Sequence, residues 1–164
     1  IMREEGASNL IWIYHVNAES QPADEWNNMT SYYPGDDYCD LVAVSLFGTK
    51  KPFETGTKKF SDAIDSTLST LQAGGIQKPI LLITGTDVQS RFEDPATFVS
   101  NVLSSLSGQT WPDIKGLIWL NAAWKNDNNP LHDTSMRLQD NATVAAAFKS
   151  GLQTIQIQGL LTCS

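Results

Sequence analysis

Four clusters of side chains carry the groups that could do chemistry: Tyr14, His15 and Asn17; Ser45 and Phe47; Thr84 and Thr86; and Trp119, Asn121 and Trp124. Each stands where an apolar run ends. They are aromatic and neutral-polar, with no carboxylate among them. Aromatic faces pack against C–H bonds while amides and hydroxyls exchange hydrogen bonds with other hydroxyls, so the set suits a carbohydrate, though not a carbohydrate alone. The first acid beyond the third cluster is Asp87, a weak candidate three residues past Thr84. Trp12 and Trp119 lie within apolar runs, where an indole ordinarily packs into a core.

Other chemistries lack their residues. No strand end continues as G-x-G-x-x-G or G-x-x-x-x-G-K-[ST], so no phosphate-cradling loop is expected. His15 and His132 are far apart and neither has a cysteine at ligand spacing, which leaves no metal motif; no cofactor is called for. A serine nucleophile would need an elbow such as G-x-S-x-G, which is absent. The net charge of −7 and the lack of a basic cluster beyond Lys50-Lys51 and Lys58-Lys59 argue against nucleic acid. No apolar run reaches the roughly 18 residues needed to span a membrane.

The elements that must position these residues follow from periodicity. The runs at Asn9–Asn17, Asp40–Gly48, Lys78–Gly85 and Ile114–Asn121 are near-continuous in apolar residues, as in strands buried on both faces of a parallel sheet. Between them, Phe60, Ile64, Leu68 and Leu71 form a helical stripe stopped by Gly74-Gly75. Asp94-Pro95 starts a second helix with a stripe from Phe98 to Leu106, and Asp140 or Asn141 caps a third presenting Val144, Ala145, Phe148 and Leu152. The stretch Ala18 to Asp37 offers only a short helical candidate around Ala23–Met29 and a Pro34-Gly35 turn. The chain therefore reads as one α/β domain, residues 1–164, of four consecutive βα units.

Several stretches together resemble glycoside hydrolase family 26, the β-mannanase family. "REEGASNLIWIYHVN" is similar to the family's helix end and fifth strand, and "YYPGDDYCDLVAVS" (Tyr32–Ser45) to its Y-P-G-D-D-Y approach to strand six. "KPILLITGT" is similar to strand seven, "DIKGLIWLN" to strand eight and "MRLQDNATVAAAFKSGL" to the closing helix. The resemblance implies the second half, strands five to eight, of a (β/α)8 barrel. The family's acid/base glutamate belongs to strand four, outside this chain. Its strand-seven nucleophile falls on Thr84, which cannot act as a carboxylate, and its strand-six Asp and Tyr fall near Ser45 and Phe47. Trp119 matches the tryptophan that floors the sugar site.

A half-barrel would expose an apolar face and two unpaired strand edges. The expected partner is a second copy closing an eight-stranded barrel, or an N-terminal half, with a polysaccharide as ligand of an inactive half-barrel. Two alternatives stay open: an active hydrolase of β-mannan or a related polysaccharide, as part of a longer chain or with a displaced acid such as Asp87, and a purely structural assembly protein. The opening Ile-Met-Arg-Glu-Glu-Gly6 reads as a helix end, as in a segment cut from a longer chain, and does not itself have the pattern of a signal peptide. The sequons Asn28-Met-Thr30 and Asn141-Ala-Thr143 lean the reading towards an extracellular protein. Cys39 reads as a buried thiol, and its pairing with Cys163 stays open.

Overall fold

Runs that are apolar on both faces can be buried only between two layers, and the chain meets this demand on one side. The computed structural model describes residues 4–52 and 59–155. Its parallel sheet comprises β1 (Ile13–Asn17), β2 (Leu41–Ser45), β3 (Ile80–Thr84) and β4 (Ile114–Trp119), in that spatial order. Helices α1 (Phe60–Ala73) and α2 (Pro95–Ser107) form the second and third crossovers, and α3 (Ala142–Thr154) follows β4 and packs on α2. The first crossover holds only two short 3-10 turns, Glu25–Asn27 and Asp36–Tyr38. A hairpin of β5 (Ala123–Trp124) and β6 (Thr134–Ser135) stands beyond the end of β4. The fold is α/β, a sequentially ordered four-stranded parallel sheet with the form of half a (β/α)8 barrel.

Local chemistry sets the element ends. Asp94 caps α2 by accepting the Thr97 N–H at 2.8 Å, and Asn141 caps α3 by accepting those of Thr143 and Val144. Gly74 and Gly108 take the C-cap positions of α1 and α2. β1 begins four residues later than the apolar run suggests. Asp40 Oδ2 takes the Trp12 N–H at 2.7 Å, which withdraws it from the ladder, and Leu10 and Ile11 are left exposed.

One face of the sheet meets the helices. Val42, Val44 and Ile80 pack with Leu71 of α1, while Leu82, Leu117 and Trp119 join Phe98, Leu103 and Val144 of α2 and α3. Cys39 is buried here, its thiol donating to the Leu41 carbonyl at 2.9 Å; Cys163 lies outside the described residues. The alternating residues Ile13, His15 and Asn17 of β1, Ser45 of β2, Leu81 and Ile83 of β3 and Ile118 of β4 form the opposite face. That face is open at its edges, where Ile13 and Ile118 are 47% and 45% exposed, while Leu41, Ala43 and Ser45 of β2, in register with Ile13, His15 and Asn17, are buried.

Candidate functional site

The two-residue period of the strands divides the candidate residues between opposite faces of the sheet. His15 and Ser45 share the open face, with His15 Nε2 2.8 Å from Ser45 Oγ. Asn17 closes β1 on that same face and is exposed. Phe47, half-buried, follows just past β2. This grouping gives a hydroxyl, an imidazole and an amide beside an aliphatic strip, a set able to exchange hydrogen bonds with sugar hydroxyls.

Tyr14 and Trp119, expected beside them, point the other way. The Tyr14 hydroxyl donates to the Met29 carbonyl at 2.7 Å, and its ring meets Tyr33 edge-on at 5.4 Å. Burial, with Tyr32 and Cys39 adding, pushes that hydroxyl's pKa up. Trp119 packs edge-on against Phe148 of α3 at 5.4 Å and donates its indole N–H to the Met136 carbonyl at 2.8 Å. Both rings are committed to the helix-facing core, so neither offers a platform on the open face. The physical reason is parity: an aromatic at an odd offset from His15 or Ile118 must lie on the opposite side.

Thr84 shares that core side. It is 0% exposed, in line with Ile80 and Leu82 and paired with Trp119 across the ladder, and its hydroxyl has no hydrogen-bond partner among the described residues. Thr86 is equally buried, with a long contact to the Thr49 carbonyl at 3.4 Å. Asp87 is not presented to a ligand either. Its residue is 0% exposed, and its carboxylate accepts the N–H of Gln89 at 2.8 Å and of Ser135 at 2.9 Å. Burial raises its pKa, and the two N–H groups oppose the rise. It is a strap from β3 to the β5–β6 hairpin, in place of the displaced acid considered from sequence.

Asn121 and Trp124 stand on the rim. The Asn121 carboxamide clamps the turn after the hairpin, accepting the Leu138 N–H at 2.8 Å and donating to Gln139. Trp124 is 39% exposed, its indole N–H directed at Asn126 Oδ1. In the loop joining β5 to β6, His132 Nδ1 lies 2.7 Å from Asp127 Oδ2 and Nε2 lies 3.0 Å from Asn129. Its hydrogen bond holds the Asp127 carboxyl below the usual range.

Two features had no signal in the sequence. The His15–Ser45 contact is diagonal, since His15 pairs with Ala43 and Ser45 with Asn17. Glu93, in the loop between β3 and α2, is half-buried, and that burial holds its carboxyl above the usual range. Among the described residues no three His, Cys, Asp or Glu side chains are placed to hold a metal, and no helix is long and apolar enough to cross a membrane. A cleft of about 660 Å³ lined by Asp65, Gln72, Lys78, Asp113 and Lys115 opens where β3 and β4 begin. Sites on parallel sheets lie at the strands' C-terminal ends, so the cleft is at the wrong end for the groups above.

Comparison with known families gives a match to glycosyl hydrolase family 26 over residues 1–85, about half of the 164. It spans β1 through β3 and the Tyr32–Ser45 stretch, and it ends one residue beyond Thr84. The stretches at Ile114–Asn121 and Met136–Leu152 lie beyond the match. No curated protein matched the chain.

Proposed function

The chain belongs to glycosyl hydrolase family 26, and from that premise we propose that it is a half-barrel that has lost hydrolysis, self-associates through its open face and holds carbohydrate there. One observation supports the loss of catalysis: Thr84, the residue on which the resemblance sets the family's nucleophile, is fully buried and turned towards the helices. A retaining glycosidase needs two carboxyl groups about 5 Å apart across the scissile bond. The open face supplies His15, Asn17 and Ser45 at the strand ends, and none of them is an acid.

Closure by a second copy follows from the edges. β1 and β4 run parallel, each with one side unpaired among the described residues, so a two-fold axis along the strands would pair β4 of one copy with β1 of the other twice over. Ile13, Leu81, Ile83 and Ile118 would then face their counterparts in a shared interior. Sedimentation is expected to give the mass of two chains, and Ile118→Lys on the edge strand to halve it. A single-chain mass for the unaltered protein would remove this part of the reading. The carbohydrate would meet His15, Asn17 and Phe47 at the strand ends, with Asn121 and Trp124 on the rim.

A second reading, hydrolysis of β-mannan or a related polysaccharide with a displaced acid, has one observation in its favour: burial keeps Glu93 protonated to higher pH than an ordinary glutamate, as a general acid requires. Release of reducing ends from β-mannan, xylan and mixed-linkage β-glucan separates the two. No turnover, with retained binding to one of the polysaccharides, is expected. Turnover abolished by Glu93→Gln or Asp87→Asn would establish the enzyme instead.

A further inference from the structure

We propose that Asn28 is an N-glycosylation site of this protein and that Asn141, which heads the other Asn-X-Thr triplet, is not. The two triplets are equivalent as sequence. They differ in what the fold does with the asparagine side chain.

At Asn28 only the carboxamide oxygen is engaged. Oδ1 accepts both the backbone N–H and the hydroxyl of Thr30, each at 3.0 Å, closing a local Asx turn. The residue is exposed, and among the described residues nothing hydrogen-bonds its Nδ2. The turn is fixed from below on both sides. The Tyr14 hydroxyl holds the Met29 carbonyl at 2.7 Å, and the Thr30 methyl lies where a side chain on Gly74 would begin, 2.5 Å from that position. Those anchors belong to the helix-facing side of β1 and to the end of α1. A glycan on Asn28 would therefore project away from the open face and leave both its closure and its strand-end groups clear.

At Asn141 both ends of the carboxamide are in use. Oδ1 caps α3 through Thr143 and Val144, and Nδ2 donates to the Val88 carbonyl at 2.9 Å. The side chain is half-buried beneath the loop that follows β3. A sugar on that nitrogen would have to occupy the space between the cap and Val88. The folded protein has room for one glycan of the two.

The chemistry is substitution at a glycosyl carbon and involves no redox change. A lipid-pyrophosphate-linked oligosaccharide supplies the sugar, and an oligosaccharyl transferase of the secretory route supplies the base. The Asn28 Nδ2–C1 bond forms as the C1–O bond to pyrophosphate breaks; one N–H proton goes to the base, and the lipid pyrophosphate leaves with the electron pair.

The test is expression of the full chain behind a signal peptide in a eukaryotic secretory host, followed by peptide mapping of the folded, secreted protein before and after amidase removal of N-glycans. Expected is one glycan, on Asn28, whose removal converts that residue to Asp, with Asn141 unmodified. Asn28→Gln, and independently Thr30→Ala, are expected to abolish the glycan mass. Thr143→Ala, which removes the second triplet but keeps the Asn141 cap, is expected to leave it unchanged. An unoccupied Asn28 in the secreted wild-type protein, or folded protein carrying its glycan on Asn141, would overturn the proposal.

Discussion

Replacing Thr84 with valine and, separately, with glutamate asks which way this position faces. Valine has nearly the shape of threonine but no hydroxyl, and the Thr84 hydroxyl is buried without a partner among the described residues. Leaving such a group unpaired costs about 1–3 kcal/mol, so removing it at constant volume should recover about 1 kcal/mol. With a urea m-value of about 2 kcal/mol/M for a chain of this size, the midpoint should rise by about 0.5 M at unchanged m. Glutamate would place a longer, ionisable side chain between Leu82, Trp119 and the helices, at a cost of several kcal/mol. That variant should unfold at much lower urea at neutral pH and should gain no mannan hydrolysis. Destabilisation by valine would show that the hydroxyl is bonded. Full stability of the Thr84→Glu variant would show that the side chain reaches solvent on the open face, and would refute the assignment of sides.

Asp87→Ala should lower stability by about 2–4 kcal/mol, because the buried Ser135 N–H loses its acceptor outright and the Gln89 N–H loses its own; equilibrium denaturation measures it, and a loss below about 0.5 kcal/mol would mean the strap contributes little. The sign of the pH effect follows from the raised pKa. Protonated Asp87 favours the fold, so its contribution is complete below the ordinary value of 3.8 and is lost as pH climbs through the raised one. Asp94, lowered by the hydroxyl and N–H of Thr97, acts oppositely, its contribution being lost as pH falls. The difference in stability between wild type and Asp87→Asn, followed across the acid range, should therefore shift in favour of Asn with rising pH. Gly151→Ala should cost about 1 kcal/mol net, because the new methyl would stand 2.5 Å from Leu103 Cδ1 and 2.8 Å from its Cβ, outweighing the gain of about 1 kcal/mol in helix propensity. A double-mutant cycle with Leu103→Ala should show coupling, and additivity would place the two helices further apart.

What could be read from the sequence was whatever one element's own residues determine. The four strands announced themselves as apolar runs, and Asp94-Pro95, Asn141 and the stop glycines fixed helix ends through bonds to their own neighbours. The sides were hidden for the same reason the strands were visible. A run apolar on both faces carries no parity, so Tyr14 and Trp119 could not be told from open-face residues until Met29, Tyr33, Met136 and Phe148 were in place. Asp87 looked like a loop acid because both N–H groups it satisfies are recognised only in the fold, one of them 48 residues away. The β5–β6 hairpin, two residues a side, is too short to leave a pattern.

Covalent trapping asks most directly whether any carboxylate here can attack a sugar. A 2-deoxy-2-fluoro-β-mannosyl fluoride reacts with the nucleophile of a retaining glycosidase through its good leaving group, and the 2-fluorine slows hydrolysis of the resulting ester so that it accumulates. Intact mass after prolonged incubation is expected to equal that of the untreated chain. A stoichiometric adduct mapped to Asp87, Glu93 or any other acid would contradict the claim that the reaction has been lost.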